Sequence, residues 1–349
     1  MLKYIIRKTV NGLLVMAGVV IAVFLLFQGF GDPARMLVGQ TADAATQQNI
    51  RKELNLDQPR WKQFLLYMND VSPVAVHSET EIKQKQLHGL FIGGNNKLSF
   101  KLPYLRRSYQ LRKNVWDILT DALPGTAVLA AAAMLIAILM GIPLGILAAV
   151  KKNSWMDSSS VFVSVLGISA PSFFMGIVIA YIFGFVWSHF TGLNMTGSLF
   201  DTDPFEGRQL QLQNLILPAV TLGIRPLAII TQLTRSSMLD VLNQDYIRTA
   251  YAKGLTKTVV VWKHALRNAL NPVITAITGW FAELLAGAFF VEYVFGWKGI
   301  GKVTVDALEN LDFPVVMGAV LISSFFFTLI NILADILYGI IDPRIRSVQ

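Results

Sequence analysis

"QDYIRTAYAKGLTKTVVVWKHALRNALNP", residues 244–272, is the longest polar, basic stretch between the later hydrophobic runs of this chain. The apolar run before it ends near Arg235 and the next begins near Val273. Asn243 and Asp245 can cap a helix start, a helix over 246–253 follows, and Gly254 stands where a left-handed C-terminal cap belongs. Eight residues make roughly two turns, about 12 Å. Ile247, Ala250 and Tyr251 fall on one face, and Tyr246, Thr249 and Lys253 on another. A second helix over 257–268 gathers Val260, Val261, His264, Ala265 and Leu266 on one side. Helices this short are unstable alone in water, so the module packs on its neighbours, on the bilayer surface or on a partner. A polar face mixing Tyr, Thr and Lys, the small residues Ala250 and Ala252, and a glycine that fixes the exit favour a partner over a generic amphipathic loop.

Outward from this module the chain is apolar. Of 349 residues 54% are hydrophobic and 15% charged, which fits a polytopic membrane protein rather than a soluble domain. Apolar windows lie at 10–30, 122–150, 160–187, 215–234, 273–291 and 315–341. Each approaches or exceeds the roughly 20 residues that cross about 30 Å of hydrocarbon. The expected class is therefore an all-α protein with six transmembrane helices and both termini on one side. The first window follows Lys3, Arg7 and Lys8 as a signal peptide would, but it is too long and lacks an A-x-A site, so it reads as a retained span. With the N-terminus inside, the short inner pieces hold Lys3, Arg7, Lys8, Lys151, Lys152, Arg235, Arg248, Lys253, Lys257, Lys263, Arg267, Arg344 and Arg346. The two short outer loops hold only Arg208, Lys298 and Lys302, so both termini are expected in the cytoplasm. The net charge of +8 fits a membrane protein with basic inner loops, the long segment 31–115 being also rich in Lys and Arg but too long to count toward orientation, and no nucleic-acid partner is expected. The absence of cysteine excludes disulfides and thiolate metal sites.

The expected domains are residues 1–30 (cytoplasmic end and first span), 31–115 (extracytoplasmic segment) and 116–349 (a five-helix core with cytoplasmic helices at 236–271). In the second of these, "TADAATQQNIRKELNLDQPRWKQFLLYM" has helical periodicity interrupted by Pro59, which predicts two short helices. "SPVAVHSETEIKQKQLHGLFIGGNNKLS" reads as a polar loop excursion. No G-x-x-x-x-G-K-[ST] phosphate loop occurs, nor H-E-x-x-H, nor G-x-S-x-G. His77, His88, His189 and His264 fall in different loops and read as isolated surface histidines. The serines at 158–160 and 236–237 lie at membrane borders and read as helix caps.

"RSSMLDVLNQDYIRTAYAKGLTKTVVVWKHALRNALNPVIT" resembles the cytoplasmic loop of ABC-importer permeases of the dipeptide/oligopeptide/nickel family, in particular the B-type subunit of dipeptide systems. "GDPARMLVG", "DALPGTAVLAAAAMLIAILMGIPLGILAAVKK", "GISAPSFFMGI", "LPAVTLG", "ELLAGAFFVEYVFGWKGIGKVTVDAL" and "DILYGIIDPRIR" extend the resemblance over nearly the whole chain. It implies the type I importer permease fold in the bacterial cytoplasmic (inner) membrane. It also implies that the opening module is a coupling helix, in which Tyr246, Arg248, Thr249, Ala250, Tyr251, Lys253, Gly254 and Leu255 meet a separate ATPase. ATP and magnesium would then be held by two partner subunits, and the chain itself needs no cofactor or metal and does no covalent chemistry. The remaining implied partners are a second, homologous permease, a periplasmic or lipid-anchored substrate-binding protein, membrane lipid and a peptide substrate. Arg248, Thr249 and Ala250 occupy the positions where the broader superfamily has Glu-Ala-Ala, and Tyr251 stands where the peptide branch usually has Arg. Residues 295–311 resemble the family's loop before the last span, which implies a short helix at the outer gate with Trp297, Gly299 and Gly301.

Arg225 and Glu283 each lie about 15 Å above the inner border by helical rise, at a depth where an unpaired charge costs at least a few kcal/mol. Either they pair with each other, or they face the aqueous path and meet the termini of a zwitterionic peptide. Asp335, near the inner end of the last span, reads as structural. A nickel or other small-solute importer is the alternative within the family. An ion-driven secondary transporter would show inverted repeats and broken spans, and neither is visible in the sequence. A membrane hydrolase lacks its catalytic constellation. The stretch 72–96 exceeds the family's compact segment and is either a docking platform for the binding protein or a surface insertion.

Overall fold

The computed structural model describes residues 2–29, 51, 56–203 and 207–341, and these are predominantly helical. The first half holds α1 (Leu2–Gly29), α2 (Arg60–Val71), α3 (Glu79–Lys85), α4 (Val115–Val150), α5 (Trp155–Ser169), α6 (Ser172–Ile179) and α7 (Ser188–Thr191). The second holds α8 (Gln213–Leu242), α9 (Asp245–Ala252), α10 (Lys257–Val259), α11 (Leu266–Ala286), α12 (Phe289–Val294), α13 (Ile300–Glu309) and α14 (Phe313–Ile341). Among the described residues, five helical stretches are long and apolar enough to cross a bilayer, and a bent pair counted as one span makes six. That count matches the six apolar windows, but two windows differ from the helices they predict.

The third window is a broken span. α5 and the segment starting at α6 meet at 106°. Pro171 carries no amide hydrogen and excludes the helical region for the residue before it, so Ala170 turns extended (φ −76°, ψ 130°). The fifth window is displaced. Residues from Lys257 run through a π-helical turn (Val260–Ala265) into α11 as one 30-residue span, so the helix expected over 257–268 is not a separate element. Pro272 lies inside α11. The helix stops at Gly287, whose φ of +127° only glycine adopts readily, before the expected end at 291.

The chain clusters into two compact units. One comprises Leu13–Ala122 and Val303–Phe325, the other Met1–Gly12, Leu123–Lys302 and Phe326–Gln349. In the first, the stretch read as a loop excursion is a three-stranded antiparallel sheet in the order β1 (Val74–Ser78), β3 (Asn96–Lys101), β2 (Gly89–Gly93). Val76 and Ile92 both face Leu98 across it. α2 is the second of the two helices expected around Pro59, whereas the first falls largely outside the described residues. Ser78 starts α3 with a capping box to Glu81. Asp70 is buried and accepts from the Lys85 ammonium at 2.5 Å, while the Lys101 ammonium donates to the Asp70 carbonyl. Asp312, also buried, accepts from the Ser108 hydroxyl and from the amides of Tyr109 (3.0 Å) and Gln110 (3.3 Å).

His77 is not a surface histidine. It sits on β1 at 1% exposure, with Nδ1 against the Asn69 amide at 3.3 Å and Nε2 unpartnered. Burial first, then the ammonium groups of Lys101 and Lys85, lower its pKa from 6.5, against the opposing carboxylates of Asp70 and Glu81. A lowered folded value means that the unfolded chain binds the proton first. The stability held by neutral His77 is therefore present above pH 6.5 and lost as pH falls through the lower folded value. The thermal midpoint of the purified protein should drop between pH 7 and pH 5, and a His77→Gln variant should drop by less. Equal drops in both would exclude His77 as the source.

Candidate functional site

α9 begins without a side-chain cap. Gln244, not Asn243 or Asp245, is the N-cap residue, and it is extended (φ −76°, ψ 149°). Asn243 instead donates to the Leu239 carbonyl at 2.9 Å, and Asp245 lies in the first turn, where the helix dipole favours an acid. The other end is a complete Schellman turn. The Gly254 amide donates to the Tyr251 carbonyl (2.9 Å) and the Leu255 amide to the Ala250 carbonyl (3.4 Å). Gly254 has φ +79°, and an added Cβ would touch nothing within 4 Å, so glycine is required there by backbone conformation rather than by space.

The helix divides sharply into two faces. Ile247 (1% exposed) and Ala250 (6%) pack into a cluster with Ile146, Met238, Val260 and Val261. The Tyr246 hydroxyl accepts from the Asn268 amide at 2.8 Å, which ties α9 to α11. Arg248, Thr249, Tyr251, Ala252, Lys253 and Gly254 are exposed. Ala250 thus does not hold space for a partner, contrary to the reading of its small side chain. It seats the helix on its own chain, and among the small residues Ala252 lies on the free face. The Arg248–Asp245 pair at 3.5 Å is solvent-exposed and contributes little.

Arg225 on α8 and Glu283 on α11 line one cavity of about 170 Å³. The ion pair between them, one of the two expected arrangements, is not formed. The Arg225 guanidinium instead lies 5.3 Å from the ring centre of Trp280. A second carboxylate, Glu292 on α12, is fully buried. It accepts from the Thr126 hydroxyl (2.8 Å) and the Lys302 amide (3.1 Å), with further backbone donors at Gly301 and Ala288. Thr126 also accepts from the Ile300 amide at 2.8 Å. Thr126 and Glu292 thereby satisfy the orphan amides of the first turn of α13 from outside that helix. Burial pushes the Glu292 carboxyl above the ordinary range, and these donors pull it back.

The three residues expected at the gate loop enclose this junction. Trp297 is fully buried, and its indole donates to the Gly125 carbonyl at 2.9 Å. A Cβ on Gly299 would stand 2.3 Å from Glu292 Oε2, and one on Gly301 would stand 2.6 Å from Phe289 Cα. Sequence reasoning missed Glu292 because it sits one residue past an apolar window. The signal was the pair of glycines downstream.

It also missed Asp157, whose buried carboxylate receives both Arg235 Nε and Nη2, the latter at 2.9 Å, and the Asn153 amide at 2.9 Å. Ser154 caps α5, whereas the hydroxyls of Ser160 and Ser236 bond to the carbonyls of Met156 and Leu233 and cap nothing. Asp335 takes Lys8 at 2.8 Å, and its carbonyl accepts from the Tyr4 hydroxyl, which joins α1 to α14.

A multi-span helical protein with a docked two-turn helix between its fourth and fifth spans matches one family over most of its length. Residues 141–347 match the model described as "Binding-protein-dependent transport system inner membrane component", and residues 1–130 match its N-terminal counterpart. The chain belongs to this family. It is a multi-pass permease subunit of the binding-protein-dependent ABC importers, with the type I permease fold. The dipeptide transport system permease protein DppB of Alkalihalophilus pseudofirmus is 34% identical, with 99% of this chain and 100% of DppB covered. The probable D,D-dipeptide transport system permease protein DdpB of Escherichia coli K12 is 38% identical, over 98% of this chain and 97% of DdpB. The glutathione transport system permease protein GsiC of the same strain is 35% identical, over 99% of both. Membership sets aside the secondary-transporter reading even though a broken span is present.

Proposed function

We propose that this permease carries small peptides across the cytoplasmic membrane, with both termini and α9 on the cytoplasmic side, as one of two homologous permeases. The importer holds ATP and magnesium in two ATP-binding subunits, one of which docks on the free face of α9 in this chain, and an external binding protein delivers substrate to the opposite side. The division of α9 carries the docking reading. One face is seated on α8 and α11, and the other presents Arg248, Tyr251, Ala252 and Lys253. A push on that face reaches the spans directly, because α8 leads into α9 after two residues. Peptide is favoured over nickel because the dipeptide, D,D-dipeptide and glutathione permeases match along their whole length. The loop carrying Trp297, Gly299 and Gly301 would form part of the outer gate.

Tyr251→Asp tests the docking. It places a carboxylate on the exposed face without touching Ile247 or Ala250. Copurification of the ATP-binding subunits should fall tenfold or more while the permease itself remains monodisperse. Undiminished copurification would sink the reading.

A further inference from the structure

The cavity shared by Arg225 and Glu283 lies where two helices break. Its walls include Ala170, at the bend between α5 and α6, and Gly287, where α11 stops before α12. Non-helical backbone inside a membrane is tolerated where it lines a water-filled cavity. Neither charged side chain has an ionic partner among the described residues, although both are exposed to the same space. Guanidinium is always charged, and holding Arg225 over Trp280 orients its plane while leaving its N–H edge free. Two opposite charges on packed helices, at the wall of one cavity and left apart, form a dipolar receptor rather than a structural ion pair.

We propose that Arg225 and Glu283 form a subsite on the translocation path that binds the two ends of a zwitterionic peptide, Arg225 the carboxylate and Glu283 the ammonium. The inference rests on the peptide reading above and adds the recognition chemistry within it. Trp280 and Phe290 line the same space and would flank the backbone between the ends.

Equilibrium dialysis of the purified whole importer without its binding protein tests this, using radiolabelled dialanine, N-acetyl-dialanine and dialanine amide. Dialanine should bind saturably, and each blocked form about tenfold more weakly, the scale of one charge-assisted hydrogen bond. In Arg225→Gln, dialanine and its amide should become equal. In Glu283→Gln, dialanine and the N-acetyl form should become equal. Arg225→Lys should keep the preference for a free carboxylate. Absence of saturable binding, equal binding of all three by the native complex, or an equal loss of all three in Arg225→Gln would overturn the subsite. Dialanine transport by the same complex with its binding protein tests the peptide reading separately. Transport without terminal discrimination removes the subsite alone, and no transport of any peptide removes the reading beneath it.

Discussion

Replacing Gly299 with valine is expected to destabilise the permease by about 3–4 kcal/mol, the sum of an overpacked site and an unmade buried hydrogen bond. The added Cβ would stand 2.3 Å from Glu292 Oε2, 2.5 Å from its Cδ and 2.6 Å from Thr126 Oγ1. A clash with the far end of a long side chain is ordinarily relieved by a rotamer change. Glu292 has no such freedom, because it is fully buried and held by Thr126 and by the amides of the α13 first turn. Moving it strands those amides, and moving Thr126 strands the Ile300 amide. Glu292→Ala should approach the same loss by the second route alone. Glu292→Gln should lose less, because it keeps one oxygen for the α13 amides. Gly18→Val is the control, since nothing lies within 4 Å of its added Cβ. The fraction of protein that stays monodisperse after heating in detergent reads the difference. If Gly299→Val survives as well as Gly18→Val, the junction deforms freely and Glu292 does not fix it.

The spans were legible because an apolar run of about 20 residues has few other fates. Averaged hydropathy is blind to direction, however, so the 106° break within the third span left its mark only in the Ala170–Pro171 pair. The sheet at 74–101 was hidden by its length. Strands of five and six residues, separated by a helical turn and glycines, give too few alternations to separate from a loop. At α9 the left-handed exit at Gly254 could be read, because one residue type serves that conformation. The direction of its faces could not. Ala250 and Ala252 are both small, and only packing against Ile146 and Met238 decides which one turns inward. Arg225 and Glu283 were visible as charges in apolar runs, but their separation within one cavity is a property of two helices and two breaks. Glu292 shows the converse limit. It is more deeply buried than either, yet its position outside a window made it look like a border residue.

Arg235→Ala is expected to cost about 2–3 kcal/mol, the scale of a bidentate charge-assisted pair with a covered carboxylate and a partly exposed guanidinium. The Asp157 side chain is 5% exposed, and Arg235 meets both of its oxygens in a bidentate fork. Asp157 sits in the first turn of α5 and Arg235 seven residues before the end of α8, so the pair joins the start of the broken span to the helix that leads into α9. Removing the guanidinium leaves the Asn153 amide as partner to the carboxylate, which is one neutral hydrogen bond in place of two charged ones. Arg235→Lys should recover part of the loss, because an ammonium supplies the charge without the planar fork. The double variant Asp157→Asn, Arg235→Gln should be less damaged than Arg235→Ala alone, since no unpaired charge remains. A thermal-midpoint series over 50–500 mM salt separates this from a surface pair, whose contribution salt would erode. If Arg235→Ala falls within error of the native chain, or if the double variant equals the sum of the singles, the pair is not a buried clamp and α5 is held at its start by Ser154 and packing alone.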